Sequence, residues 1–109
     1  MHAFDVLADP VRRRALELMS QREQASGEIV KVVEAEFGLS QSAVSQHLRV
    51  LRDSGFASVR KDGAKRCYSV NPSGFEDVEA WLNQLRLYWG ARLEALATEV
   101  ERGKRQRGK

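Results

Sequence analysis

Residues 38–56 read GLSQSAVSQHLRVLRDSGF. Gly38 predicts a tight turn, Ser40 predicts the N-cap of a helix, and Gly55 predicts where that helix ends. The apolar positions of the helix recur at helical spacing and are Val44, Leu48 and Leu51. The stretch therefore predicts a turn followed by a helix that buries one narrow apolar seam.

The side of this helix opposite the seam carries only short or forked hydrogen-bonding side chains. They are spaced i, i+3, i+4, i+7 and are Ser42, Ser45, Gln46 and Arg49. Such side chains can hydrogen-bond base edges in a DNA major groove, and the lack of an acid among them avoids repulsion from phosphates. The pattern predicts a DNA-recognition helix.

Length and composition favour one small domain with a single core, since the chain has 109 residues. Its one cysteine, Cys67, excludes an internal disulfide and is typical of a reducing cytoplasm. The N-terminus has no basic start followed by an apolar run, and no apolar run approaches the length of a membrane span. We therefore expect a cytoplasmic protein without a membrane partner.

Charge is distributed unevenly along the chain. Residues 40–70 hold six Lys/Arg against two Asp/Glu, and residues 101–109 hold five against one. The flanking segments 1–39 and 71–100 have net charges of −2 and −3. A local basic block on a chain of net charge +3 is typical of a surface that binds a polyanion.

Two further helices are predicted before the recognition helix. Asp9 and Pro10 indicate the start of one that runs to about Ser20. Ser26 can cap the next, which ends at Phe37. Because this second helix and the recognition helix are joined by a short turn containing glycine, the pair has the helix-turn-helix signature.

Arg12, Arg13 and Arg14 lie in the first turn of the first of these helices, where the macrodipole disfavours cations. This conflict suggests that one or more of them bind an anion or an acidic partner. The alternative is that they pack by their aliphatic stems on the domain surface.

A β-hairpin follows the recognition helix, because Asp62-Gly63 separates two β-branched and aromatic runs. Four cations fall near its tip: Arg60, Lys61, Lys65 and Arg66. Like charges across strands repel, and a phosphate backbone lying against the tip would relieve that repulsion. The alternative is an ordinary edge hairpin with solubilising cations.

A long terminal helix is predicted from about Phe75 to Glu101. Its apolar seam is wider than one small domain needs, which favours packing against a second copy. The predicted dimer interface consists of Phe4, Val78, Leu82, Leu85, Trp89, Leu93 and Leu96. A membrane-surface helix and a lid over a ligand pocket are the alternatives. The domain is thus expected to occupy residues 1–101, followed by a disordered basic tail at 102–109.

This order of elements resembles the ArsR/SmtB-type winged-helix repressors of bacteria. The matching residues are 7–16, 39–51, Gly63 and Tyr68. The resemblance implies a mainly α fold with a β-hairpin wing, in the order α-α-α-α-β-β-α, which dimerises through its terminal helices. It also implies a homodimer that binds an inverted-repeat operator and represses transcription. Carried over by residue, Gln41 joins the base-facing set, while Ser40 and the wing cations hold phosphates.

His47 lies between the DNA face and the core face of its helix. We expect its ring to hydrogen-bond backbone or phosphate, and we include it in the DNA-binding set. Metal-sensing members of the family resembled carry a Cys-x-Cys run before the turn or His and acidic ligands on the terminal helix. Here His2, His47 and Cys67 are scattered, so we predict no metal site and no cofactor, as in the metal-independent branch.

Other functional classes were weighed against DNA binding. A winged helix used as a protein-interaction or assembly module is the main alternative, although protein partners would not select against acids in residues 40–52. An enzyme is disfavoured because Ser45 and His47 are two apart on a helix and cannot face each other. The effector is left open: a small molecule could bind among Trp81, Tyr88 and Trp89, or these side chains could be core.

Overall fold

The computed structural model describes residues 2–107, apart from the side chains of 102 and 104–107. The elements are α1 (Ala3–Ala8), α2 (Pro10–Gln21), β1 (Gln24–Ala25), α3 (Ser26–Phe37), α4 (Gln41–Asp53), β2 (Ala57–Asp62), β3 (Lys65–Val70), a 3₁₀ turn (Pro72–Phe75) and α5 (Glu76–Arg107). Internal contacts divide the chain into two units, with the boundary between Asp77 and Val78. The predicted helix order and the hairpin wing are confirmed.

The first unit is built on α2, α3 and α4, which pack on one another and on the sheet. The side chains at the centre of its core are almost completely buried and are Val6, Ile29, Val33, Val44, Leu51 and Phe56. The predicted caps are confirmed: Asp9 Oδ1 accepts from the Val11 amide at 2.8 Å, and Ser40 Oγ accepts from the Ala43 amide at 3.2 Å. These local signals set the starts of α2 and α4.

The glycines predicted to form turns do so. Gly38 ends α3 with φ at 66°, and its amide donates to the Glu34 carbonyl at 2.9 Å. Gly63 has φ at 62° in the hairpin turn, where Asp62 pairs with Lys65. Left-handed φ carries little cost for glycine, so both turns can be tight.

Strand β1 was not predicted, because Gln21 to Ala25 has the composition of a polar connection. Gln24 pairs with Tyr68 and Ala25 with Cys67, which gives a three-stranded antiparallel sheet of order β1-β3-β2. The Gln24 side chain is buried and its Nε2 donates to the Leu18 carbonyl at 2.7 Å. This non-local contact explains why a polar segment enters the sheet.

The predicted N-cap of α3 was wrong. Ser26 is the first residue of the helix, and Ala25 occupies the cap position without a side-chain hydrogen bond. Because Ala25 is held extended by its pairing with Cys67, the sheet sets where α3 begins.

Phe56 links α4 to the hairpin and to the 3₁₀ turn. Its amide donates to the Leu51 carbonyl and its carbonyl accepts from the Asn71 amide, both at 2.9 Å. Its ring is 1% exposed and meets Phe75 edge-on, with centroids 4.8 Å apart. The 3₁₀ turn passes so close to the backbone of Gly55 and Phe56 that a Cβ on Gly74 would lie 2.6 Å from the Gly55 carbonyl oxygen.

The second unit consists of the greater part of α5. The predicted helix start at Phe75 differs slightly, since the 3₁₀ turn ends there and α5 begins at Glu76. The predicted disordered tail also differs, because α5 continues through Arg107. Lys, Arg and Gln are good helix formers, and cations are favourable near a helix C-terminus. Residues 108 and 109 lie outside the described residues.

Replacing Gly74 by Ala should destabilise the first unit by about 1–3 kcal/mol, because the added methyl group meets backbone atoms that cannot move aside. Urea denaturation followed by circular dichroism measures the change. Gly27→Ala is the matched control, since a Cβ at Gly27 would have no neighbour within 4 Å. Equal urea midpoints for the two variants would contradict the close approach of Gly74 to the backbone of Gly55.

Candidate nucleic-acid interface

Helix α4 presents a continuous polar face. Its seam is fixed by Val44, Leu48 and Leu51, which are at most 2% exposed. On the other side Ser45 is half-buried, and the exposed residues are Gln41, Ser42, Gln46 and Arg49. Among the side chains that the structure describes, none of these five forms a hydrogen bond or ion pair, so their polar groups are available to a ligand. The structure thus brings the sequence-predicted base-facing residues together on one helix.

The electrostatic character of this face is set by what α4 lacks. Its one acid, Asp53, is the last residue of the helix, and its Oδ1 lies 3.1 Å from Nε of Arg52. Arg49 has only neutral polar side chains before it on this face, whereas Asp53 lies four residues further on and therefore on the same side of the helix. Ser40 differs from the others in that its hydroxyl oxygen already accepts a hydrogen bond as the helix cap, while its O–H can still donate one.

His47 faces α2. Its Nδ1 lies 3.4 Å from Nη1 of Arg12, and its Nε2 lies 4.0 Å from Oδ2 of Asp9. We expected the ring to hydrogen-bond backbone or phosphate. The structure places it between two charged side chains of the α2 N-terminus, where it connects α4 to the rest of the domain.

The three arginines at the start of α2 do not share one partner. Arg12 donates to the carbonyls of Asp5 and Val6 at 2.9 and 2.8 Å, and Arg13 donates to those of Leu7 and Ala8 at 2.6 and 3.1 Å. These are the last four carbonyl groups of α1, which would otherwise lack a partner. The cations at the N-terminus of α2, where the helix dipole disfavours them, therefore bind the carbonyl groups at the C-terminus of α1. Sequence reasoning detected the conflict in these positions but did not find its cause.

Arg14 binds an acid of the next helix, as one of the two alternatives held. Its Nε and Nη2 donate to the Glu36 carboxylate at 2.8 and 2.9 Å. The hydrogen bond lowers the pKa of Glu36. This forked pair fastens α2 to the end of α3, just before the turn that leads into α4.

The wing carries its cations on two faces. Lys61 and Arg66 are directly opposite each other across the hairpin, while Arg60 lies opposite Cys67 and Lys65 opposite Asp62. Lys61, Lys65 and Arg66 are exposed, and none of them has a hydrogen bond or ion pair with another side chain of the described chain. Like charges that face each other across a hairpin destabilise it, so the tip favours an anionic ligand.

Arg60 differs from the other wing cations. Its Nη2 donates to Oε1 of Glu23 at 2.6 Å, and this hydrogen bond lowers the pKa of Glu23. The guanidinium is thus already neutralised by the segment that precedes β1. Glu23 is more than 30 residues away in sequence, so no local pattern indicated the pairing.

Two of the residues predicted to form a dimer interface are half-buried, and the rest are exposed. Phe4 lies on α1 and stacks on His2, with ring centroids 5.4 Å apart. Along α5, Val78 and Leu85 are half-buried. The exposed residues of α5 include Trp89, Leu93 and Leu96, at 51%, 61% and 57%. Large apolar side chains in such a row are typical of a protein–protein contact.

The helix-turn-helix and the adjoining hairpin define a winged helix-turn-helix protein. The model of the bacterial regulatory protein arsR family matches residues 9–59. An HTH-type transcriptional regulator of Mycobacterium tuberculosis, Rv0081, is 40% identical over 67 residues, which cover 62% of this chain and 56% of that protein. The match thus spans little more than half of that regulator's length.

Solved structures agree with this assignment. A crystal structure of a possible transcriptional regulator for arsenical resistance is 37% identical and has a TM-score of 0.65, covering 87% of this chain and 95% of that one. A homodimeric winged helix-turn-helix DNA-binding domain from Mycobacterium bovis shares the fold, with a TM-score of 0.56 at 23% identity over 81% and 75% of the two chains. The chain belongs to the ArsR family. The names of this family and of the M. tuberculosis relative support the prediction that it is not an enzyme.

The described part of the chain does not have the residues of a metal site or of a membrane span. It contains no group of three or more His, Cys, Asp or Glu side chains arranged to hold a metal ion. None of its helices combines the length and the apolarity needed to cross a membrane. Cys67 is a free thiol on β3 and is 8% exposed.

Replacing Arg60 by Gln should raise the pKa of Glu23 toward the ordinary value of about 4.3. The folded pKa is the lower one, so the ion pair contributes stability above the unfolded pKa, and this is lost as pH falls through the folded pKa. Carboxyl ¹³C NMR titration measures the midpoint. Glu36, which is paired with Arg14, is the internal control and should titrate unchanged. If the titration midpoint of Glu23 were unaltered, Arg60 would not be the group that lowers its pKa.

Proposed function

We propose that the protein is a sequence-specific DNA-binding transcriptional repressor that acts as a homodimer on an inverted-repeat operator. The observation that carries this proposal is the acid-free polar face of α4, whose side chains have no partner within the described chain. Families of regulatory proteins with this fold place such a helix in the major groove.

Each residue type on the face has a chemical role in reading bases. Arg49 can donate two hydrogen bonds to guanine, and the amide of Gln46 can form two hydrogen bonds with N6 and N7 of adenine. Ser42 and Ser45 are short enough to let the helix approach the base edges closely. Gln41, in the first turn of α4, stands where the N-terminal residues of recognition helices contact bases.

The wing supplies sequence-independent attraction. Lys61, Lys65 and Arg66 are free to neutralise phosphates, and each contact made adds counterion release to the binding free energy. Arg60 contributes less, because Glu23 already neutralises it. Affinity should therefore depend strongly on salt, while discrimination between sequences depends on α4.

Dimerisation is supported by the exposed apolar side chains of α5, chiefly Trp89, Leu93 and Leu96. Two copies related by a twofold axis would present two α4 helices to successive major grooves. We propose no metal effector, because His2, His47 and Cys67 are scattered along the sequence and the described residues contain no group of three or more His, Cys, Asp or Glu side chains arranged to hold a metal ion.

Replacing Arg49 by Ala should reduce affinity for the operator far more than affinity for unrelated duplex, because it removes a base contact worth about 1–3 kcal/mol. Lys65→Ala is the comparison variant and should weaken both about equally while flattening the salt dependence. Fluorescence anisotropy with the two duplexes at several salt concentrations measures this. If Arg49→Ala kept the full preference for the operator, α4 would not be the reading surface.

Replacing Leu93 by Glu should convert the dimer to a monomer and lower operator affinity by roughly 10²- to 10⁴-fold, because the second half-site is no longer bound by a tethered copy. Leu93 is 61% exposed, so its loss from a single chain costs little. Analytical ultracentrifugation gives the oligomeric state. Ala91→Glu, two positions away and on the other side of the helix, is the control that adds the same charge. If the Leu93→Glu variant remained a dimer, the proposed interface would be refuted.

A further inference from the structure

A cleft opens where β1 ends. β1 pairs with β3 only through Gln24 and Ala25, after which the chain turns into α3. The first residues of β3, Lys65 and Arg66, thus have no β1 residue paired beside them. Between them and the first turn of α3 lies a cleft of about 470 Å³.

The walls of the cleft are strongly basic. Three of its four charged side chains are cations, contributed by Lys31, Lys65 and Arg66. All three are exposed, and none has an ion pair or hydrogen bond with any other side chain that the structure describes. The one acid, Glu28, has its carboxylate 3.9 Å from the guanidinium of Arg22. The cations therefore converge on a concave surface without being neutralised.

We propose that this cleft binds a phosphate group of the DNA backbone and that Lys31 is one of its contacts. The inference rests on the proposed function and adds a residue of α3 that sequence reasoning did not include in the interface. Ammonium groups attract a phosphate as point charges, and a guanidinium can bind two of its oxygens. Lys31 and Lys65 provide the ammonium groups, and Arg66 provides the guanidinium.

Two observations favour a phosphate of bound DNA over a free anion. Lys65 and Arg66 belong to the wing, so a DNA strand bound along the wing would pass the mouth of the cleft. In addition, α3 packs on both α4 and β3, which fixes Lys31 relative to the recognition helix and the wing at once. A phosphate held here would define how far α4 enters the groove, since phosphate contacts set the position of a protein on the duplex.

Lys31→Gln should lower the magnitude of the slope of log affinity against log salt by about 0.9, the loss of one phosphate contact. Between 50 and 200 mM salt its affinity should therefore fall about 3.5-fold less than that of the wild type. The loss should be equal on operator and unrelated duplex. Lys31→Arg should retain binding, and Arg86→Gln, which removes an exposed cation of α5, should not change the slope in this way.

Duplexes in which single phosphates are replaced by neutral methylphosphonates locate the contact. At one position the neutral linkage should weaken binding by the wild type more than binding by Lys31→Gln, because the variant has already lost one contact to that phosphate; this difference is the signature of coupling in a double-mutant cycle. Fully additive effects at every position would overturn the proposal while leaving DNA binding intact. A wild-type protein that binds no duplex at low salt would instead refute the proposed function, and the cleft assignment with it.

A second experiment tests whether the cleft binds a free phosphate ion instead of a phosphate of DNA. In it, inorganic phosphate replaces chloride at constant ionic strength. We expect no shift of the Gly27 and Lys31 amide resonances at millimolar phosphate. Shifts confined to those amides, without coupling to any methylphosphonate, would show that the cleft takes a free anion and would overturn the assignment to DNA.

Discussion

Burial of three side chains on α4 determines which surface the helix presents. Val44, Leu48 and Leu51 are almost completely shielded from water, and burying each contributes about 1.5–3 kcal/mol. A rotation of the helix by one position would expose this seam and bury polar side chains that have no partner in the core, which adds a further cost for each group. The orientation of the polar face therefore follows from the apolar seam alone. No interaction made by Arg49 or Gln46 is needed to hold it outward.

The first turn of α2 organises the elements around α4. α1 has six residues, too few to be stable alone, and its terminal carbonyls are bound by Arg12 and Arg13. Arg12 also lies beside His47 of α4. A single side chain thus touches both the N-terminal helix and the recognition helix. This arrangement explains why cations occupy a position that the helix dipole disfavours: the carbonyl bonds they form outweigh a repulsion of some tenths of a kcal/mol each.

The parts of the fold that sequence could predict are those set by contacts within a few residues. Asp9, Ser40 and Gly63 each determine a cap or a turn through their own backbone or a neighbour's, so the pattern carries the whole signal. The parts that sequence missed depend on contacts between distant segments. Strand β1 exists because β3 offers it an edge, the start of α3 follows from that pairing, and Glu23 reaches Arg60 only in the folded chain. The same distinction holds in the site: the face of α4 was predictable by periodicity, whereas Lys31 joins the wing cations only when α3 and β3 are brought together.

The charges are distributed so that the groups able to recognise bases and the groups able to bind phosphates lie on different elements. α4 carries the groups that can distinguish bases but only one free cation on its polar face, Arg49. The free cations of the wing and of the cleft lie on β2, β3 and α3, which contribute no base-facing group. Phe56 joins these two regions, because it is bonded to α4 through Leu51 and to the segment after β3 through Asn71. In the proposed complex, a phosphate bound near β3 would thus be connected through these backbone hydrogen bonds to the depth of α4 in the groove. In the proposed function, electrostatic attraction would bring the protein to any duplex, and only a sequence that forms hydrogen bonds with α4 at that depth would hold it with both sets of contacts.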